Sequence, residues 1–137
     1  MLPDGARPHD TLTAHETFRE GLAAYNRGDY YEAHERWELL WRDEPEESVK
    51  RNFLQGLIQV AAALHKLGVM KSATGAMRLF ERARARLLQV PDGMFGIDVK
   101  AVIVGIDLAL AALPKLAAEG RTDVDPLFVP HIGPAAN

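Results

Sequence analysis

The segment from Tyr30 to Trp41 concentrates bulky aromatic and ionisable side chains more densely than any other twelve residues of the chain. It contains both tryptophans, two of the three tyrosines, one of the five histidines and three glutamates. At about 100° per residue of an α-helix, the side chains of Tyr30, Trp37, Glu38 and Trp41 fall within roughly 60° of His34. The pattern predicts an amphipathic helix whose inward stripe carries a histidine and a glutamate among aromatic rings.

The two ionisable groups on this stripe need partners. Because an unpaired charge is costly to bury, His34 and Glu38 require hydrogen bonds to neighbours or partial access to solvent. Gln55 and Gln59, one turn apart on the next predicted helix, can supply such hydrogen bonds across the interface; the alternative is that they form the solvated side of that helix. The candidate binding residues are therefore Tyr30, His34, Glu38, Trp41, Gln55 and Gln59.

Apolar residues recurring every three or four positions predict five helices. The predicted starts are Thr11 or Thr13, Asp29, Glu46 to Ser48, Ser72 or Thr74, and Asp98. The predicted ends are Gly28, about Glu44, Gly68, the segment Pro91 to Gly93, and Pro114, which either kinks or ends the last helix. Gly56, on the apolar side of the third helix, is expected to let another helix approach closely.

The absence of convincing strand alternation makes this an all-α chain. We expect a compact bundle of about five helices, built from two antiparallel hairpins with tetratricopeptide-like packing, plus a C-terminal helix and an extended tail. The predicted domains are a flexible N-terminus at 1–10, a single helical domain at 11–120 and the tail at 121–137. Within the tail, Leu127, Phe128 and Val129 are expected to pack against the bundle.

Composition narrows the functional classes. The 137 residues are 47% hydrophobic, enough for one core, and a net charge of −3 gives no basic footprint for nucleic acid. The lack of cysteine removes disulfides and thiolate metal sites and is typical of a cytoplasmic protein, which we expect this to be. The first ten residues lack a secretion-signal pattern, and the apolar runs look too interrupted to cross a membrane.

Three blocks of sequence carry a family resemblance. They are Gly28 to Glu35 continued by Glu38 and Trp41, Phe53 to Gln59, and Gly75-Ala76 followed by Leu79. Over roughly residues 18–90 they resemble domain-of-unknown-function family 309, small all-helical prokaryotic proteins whose His-x-x-x-Glu-x-x-Trp pattern falls on His34, Glu38 and Trp41. The segment Lys71 to Thr74 departs from the family's Gly-Asn turn. The resemblance implies a helical bundle and no particular activity, substrate or cofactor.

The leading functional hypothesis is a non-enzymatic binding or scaffold module without a cofactor. Its partner would be a small molecule, a peptide or a protein, but neither nucleic acid nor a membrane. The polar cluster would either line a small pocket or, as a structural His–Glu pair, fix the helix packing. The row Arg78, Arg82 and Arg86 would either bind an anion or form a solvated face with ion pairs.

The alternative hypothesis is a metal-binding protein or a metal-dependent hydrolase. His34 and Glu38 would be the ligands of a divalent metal, with Glu35 as a possible base. The segment reads H-E-x-x-E, however, whereas a zinc protease helix reads H-E-x-x-H, with a second imidazole one turn later. A carboxylate in that position weakens the analogy.

Overall fold

The computed structural model describes residues 13–123 and 129–135 and confirms the all-α prediction. The helices are α1 (Ala14–Asn26), α2 (Tyr30–Arg42), α3 (Val49–Gly68), α4 (Ala73–Leu87) and α5 (Val99–Ala118), with a short 3-10 helix at Met94–Gly96. The only strand-like pairing within the described ranges is an isolated bridge between Ile97 and Pro134. The predictions for residues 1–10, Thr11, Leu127 and Phe128 lie outside the described residues.

Each α-helix begins directly after a residue whose side chain accepts a hydrogen bond from a backbone N–H of the first turn. These caps are Thr13, Asp29, Ser48, Ser72 and Asp98. All five lie at or within the predicted starts, because capping depends on a few neighbouring residues alone. The sequence predicts that Pro114 either kinks or ends the last helix. The second of these outcomes is wrong, since α5 continues to Ala118. Pro114 is exposed, so the carbonyl that loses its helical partner can face water.

The helices pack in chain order, each against the next. The helix α3 contributes the largest share of buried side chains. As predicted, Gly56 allows close approach of another helix, α4: a Cβ at Gly56 would lie 2.7 Å from Cδ2 of Leu87. On α2 the fully buried residues are Ala33 and Trp37. The core therefore meets α2 on the face that carries Ala33 and Trp37. The adjacent face of α2 lies beside α3.

The described part of the tail packs on α1 and α5. Ile132 is fully buried, and the buried hydroxyl of Tyr25 donates a hydrogen bond of 2.6 Å to the carbonyl oxygen of Pro130. A Cβ at Gly105 would lie 2.7 Å from Cα of Pro130, so only glycine lets the tail lie this close to α5. Val129, the first described residue of this part of the tail, packs against the core, as expected from the sequence.

Among the helices of residues 13–123 and 129–135, α5 is long and apolar enough to cross a membrane by length and composition, contrary to the expectation from the sequence. Its inner face, which includes Val102 and Ile106, is buried in the bundle. On its outer side, Asp107 pairs with Arg84 of α4 at 2.6 Å. A core helix of a packed bundle has the same composition, so α5 is weak evidence for a membrane span.

Candidate functional site

The candidate site is a cleft between α2 and α3 with a volume of about 190 Å³. Its lining, which we name the polar cleft, consists of His34, Glu38, Trp41, Gln55, Ile58 and Gln59. Five of the six candidate residues predicted from the sequence therefore meet in one place. They come from α2 between His34 and Trp41 and from the middle of α3, and the two helices lie side by side because the connection between them is short.

The sixth candidate, Tyr30, lies elsewhere. Its ring packs edge-on against Tyr25 of α1 with the centroids 5.3 Å apart, and burial raises the pKa of its hydroxyl. On the helical wheel, Tyr30 and Trp37 lie on one side of His34, whereas Tyr31 and Glu38 lie on the other. The first side meets α1 and the second meets α3, so Tyr31 rather than Tyr30 follows the line of the cleft.

His34 and Glu38 form a close pair at the edge of the core rather than inside it. Nε2 of His34 is 3.3 Å from one carboxylate oxygen of Glu38, and the side chains are 28% and 25% exposed. The other oxygen of Glu38 accepts a hydrogen bond of 3.0 Å from Arg42. The sequence predicts that His34 and Glu38 lie on the buried stripe, and in the structure they are only partly buried. Both side chains keep some contact with water, which lowers the cost of holding these polar groups here.

Three polar atoms of the cleft lining have no hydrogen-bond partner among the described residues. They are Nδ1 of His34, Nε1 of Trp41 and Oε1 of Gln59, and each exposes less than 1 Å² of surface. The hydrogen bond expected from Gln59 to His34 or Glu38 is therefore not made by this oxygen. Leaving a buried donor or acceptor unpaired costs about 1–3 kcal/mol, so the cleft is an expensive arrangement for packing alone.

The indole of Trp41 is held in place by a residue that the sequence did not single out as a site residue. The guanidinium of Arg51 lies 4.1 Å from the ring centroid, and its Nη1 donates to the carbonyl oxygens of Trp41 and Glu44. Arg51 lies in the first turn of α3, and such stacking of a cation on an indole is favourable. The arginine orients the indole, whose N–H stays unpaired.

Comparison with known proteins finds a family model that matches the region around this site. The model of a domain of unknown function, DUF309, matches residues 18–79, a shorter range than the 18–90 expected. Residues 18–79 match the DUF309 family. A protein of Aquifex aeolicus (strain VF5) named "Uncharacterized protein" is 33% identical over 84 residues, which are 61% of this chain and 25% of that protein. The chain thus aligns with only a quarter of this relative's length.

A second cleft continues the first within the DUF309 region. It has a volume of about 310 Å³, and its lining, which we name the apolar cleft, consists of Tyr31, His34, Ala62, His65, Lys66, Met70 and Leu79. The Tyr31 ring lies between two imidazoles, 6.1 Å from His34 and 5.5 Å from His65. A hydrogen bond to Glu35 raises the pKa of the Tyr31 hydroxyl. All residues of both clefts lie within the family match.

The same region holds a group of side chains with the composition of a metal site. One ligand atom from each of His34, Glu35 and Glu38 lies within 4.8 Å of the others. The two carboxylates approach different nitrogens, however: Glu35 is 3.6 Å from Nδ1 and Glu38 is 3.3 Å from Nε2. One cation cannot bind both nitrogens of the same ring, and Arg42 already neutralises Glu38.

The arginine row of α4 serves packing at one position at least. Arg86 donates a hydrogen bond of 2.9 Å to Oδ1 of Asn52, which links α4 to α3. Arg78 and Arg82 are exposed, as expected for a solvated face.

Proposed function

We propose that the DUF309 region is a non-catalytic binding module whose ligand enters the polar cleft between α2 and α3. The observation that carries this proposal is the set of three unpaired polar atoms, on His34, Trp41 and Gln59, around one cleft. Each atom is covered by its neighbours in this conformation, so a ligand would reach it after a small rotation of a side chain. Pairing these atoms would recover a cost that the ligand-free fold carries.

The types of the three atoms define what the ligand must offer. The Trp41 N–H only donates, and Oε1 of Gln59 only accepts, so a matching ligand carries one acceptor and one donor close together. A carboxamide or a peptide group has this arrangement. The chemistry of the lining favours binding over catalysis, because its one carboxylate is engaged by Arg42 and no serine or threonine lies among its six residues.

The two tryptophans make a direct test possible. Indole N–H signals of the ¹⁵N-labelled protein would be followed while acetamide or N-methylacetamide is added. We expect the Trp41 signal to move, whereas the Trp37 signal stays, since the fully buried Trp37 N–H already donates to the carbonyl oxygen of Phe18 at 3.1 Å. The indole signal that is missing in the variant Trp41→Phe identifies the signal of Trp41. A Trp41 signal that no amide moves would overturn the proposal.

A matched pair of glutamine variants provides the control. Gln59→Leu removes the unpaired acceptor while keeping a similar shape, so it should leave the fold at least as stable and abolish the response of Trp41 to amides. Gln89→Leu changes an exposed glutamine that follows the end of α4, outside the cleft, and should leave the response intact. If both variants respond like the wild type, the amides bind somewhere else.

Metal binding is the second candidate, and it rests on the group His34, Glu35 and Glu38. A divalent cation that binds only the folded state would raise the melting temperature, by an amount that grows with the logarithm of its affinity. On the leading proposal, Zn²⁺ and Mn²⁺ leave the melting temperature of the wild type unchanged. A rise that disappears in both His34→Ala and Glu38→Gln would instead favour the metal site.

A further inference from the structure

The polar cleft and the apolar cleft are two halves of one groove. On α2 their residues are Tyr31, His34, Glu38 and Trp41, which recur every three or four positions. On α3 they fall at positions i, i+3, i+4, i+7, i+10 and i+11, and they are Gln55, Ile58, Gln59, Ala62, His65 and Lys66. Residues at this spacing share one face of a helix, so two continuous stripes face each other, and His34 lines both halves.

The size of the groove indicates that a ligand uses both halves. Small-molecule sites usually enclose about 300–1,000 Å³. The polar cleft, at about 190 Å³, falls below this range, whereas the apolar cleft adds about 310 Å³. From Gln55 to Lys66 the stripe on α3 rises by about 16 Å at 1.5 Å per residue, so the groove suits an elongated molecule.

The chemistry of the groove changes along its length. At the end near Trp41, the lining offers an indole N–H and two carboxamides. At the other end it offers Ala62, Leu79 and Met70, and Met70 is 58% exposed. The stem of Lys66 runs along α4, close enough that a Cβ at Gly75 would lie 2.7 Å from its Cε. Such a stem adds apolar surface while the ammonium group can stay in water.

We propose that the groove binds a linear amphiphile, with an amide head group at Trp41 and Gln59 and an apolar tail over Ala62, Met70 and Leu79. This inference rests on the proposed binding function and specifies its ligand class. The head group pairs the unsatisfied donor and acceptor, and the tail covers the exposed apolar surface of the second half. His34 contacts the ligand where the head group gives way to the tail.

The test is a homologous series of primary amides: acetamide, butanamide, hexanamide and octanamide. The readout is again the Trp41 indole N–H signal, with Trp37 as the internal reference. Each methylene buried in the apolar cleft should tighten binding about two- to fourfold, so octanamide should bind at least tenfold more tightly than butanamide. Octan-1-ol, which has the same tail without the amide, should bind more weakly than octanamide.

The possible results separate this inference from the proposed function. If all four amides move the Trp41 signal with equal affinity, the polar cleft binds head groups alone and the amphiphile is ruled out, while the binding module stands. If none of them moves the signal, both proposals fail. If octanol binds as tightly as octanamide, the amide head group is wrong.

Variants of matched exposure locate the tail. Met70→Ser removes an apolar side chain that is 58% exposed, and Val104→Ser does the same on α5, where the side chain is 57% exposed. We expect Met70→Ser to weaken octanamide severalfold without affecting butanamide, and Val104→Ser to change neither. Both are surface substitutions that should leave the fold intact. Equal affinities for octanamide in the two variants would mean that the tail does not lie in the apolar cleft.

Discussion

Trp37 and Trp41 lie one helical turn apart on α2 and have opposite environments. Trp37 is fully buried against α1, and its indole N–H donates to the carbonyl oxygen of Phe18. Trp41 faces α3, is half-buried, and has an N–H without a partner among the described residues. The same residue type therefore closes the core at one position and borders a groove one helical turn later.

The packing around the two indole rings differs in the same way. On the α1 side, a Cβ at Gly21 would lie 2.6 Å from Cδ1 of Trp37, so the indole occupies the space that any larger residue would need. On the α3 side, a cleft of about 190 Å³ remains beside Trp41. The packing is thus close beside Trp37, whereas beside Trp41 it leaves a cleft and polar atoms without partners among the described residues, a local departure that the proposed binding site would explain.

The comparison predicts its largest effect for truncation of the two indoles. Trp37→Ala should lower the free energy of unfolding by about 3–5 kcal/mol, because it leaves a cavity at a fully buried position. Trp41→Ala should cost only about 1–2 kcal/mol, from partial burial and the lost stacking with Arg51. Urea unfolding followed by circular dichroism measures both. Equal losses would mean that Trp41 is a core residue and that the flanks do not differ.

A second prediction concerns the space around Trp37. Gly21→Ala should destabilise the protein by about 1–3 kcal/mol, since its methyl group would overlap the buried indole ring. Gly68→Ala is the matched control at the end of α3, where a Cβ would meet nothing within 4 Å. It should be neutral or stabilising by about 0.5 kcal/mol. A tolerated Gly21→Ala would show that the α1 flank can adjust as the groove does.

The sequence predicts the helices well, because their starts depend on local chemistry. Asp29 and Ser48 cap the helices that follow them in the structure, as their position before apolar periodicity indicates. The cleft residues His34, Glu38 and Gln59 also follow from spacing along single helices. Spacing does not decide whether Tyr30 or Tyr31 lines the groove, since both lie within about 60° of His34 on the helical wheel.

What decides that choice is tertiary packing. Gly21 lets the Trp37 ring fit against α1, and this fixes the rotation of α2 about its axis. Tyr30 then faces Tyr25, and Tyr31 faces His65. The apolar cleft likewise needs Leu79, which α4 brings to the groove from outside the α2–α3 pair. Contacts between residues far apart in sequence leave no local signal in the sequence. Neither the choice between Tyr30 and Tyr31 nor the apolar cleft can therefore be predicted from one sequence.

The smallest effect compares tyrosines on the two flanks. Burial raises the pKa of Tyr25 well above 10.0, whereas the raised pKa of the exposed Tyr31 comes first from Glu35. Above pH 10, Tyr25 ionises in the unfolded chain but not in the folded one. The unfolded state then binds fewer protons, and the stability that Tyr25 contributes below pH 10 is lost as the pH rises towards its folded pKa.

Tyr25→Phe isolates this contribution, because it removes the titrating hydroxyl and its hydrogen bond to Pro130. At pH 8 the variant should be less stable than the wild type by about 1 kcal/mol. Between pH 10 and 11 the difference should shrink, since only the wild type loses stability through Tyr25. Tyr31→Phe should leave stability unchanged at pH 8. Melting temperatures of the three proteins across this range measure the effect, and a constant gap between wild type and Tyr25→Phe would mean that Tyr25 ionises as readily in the fold as outside it.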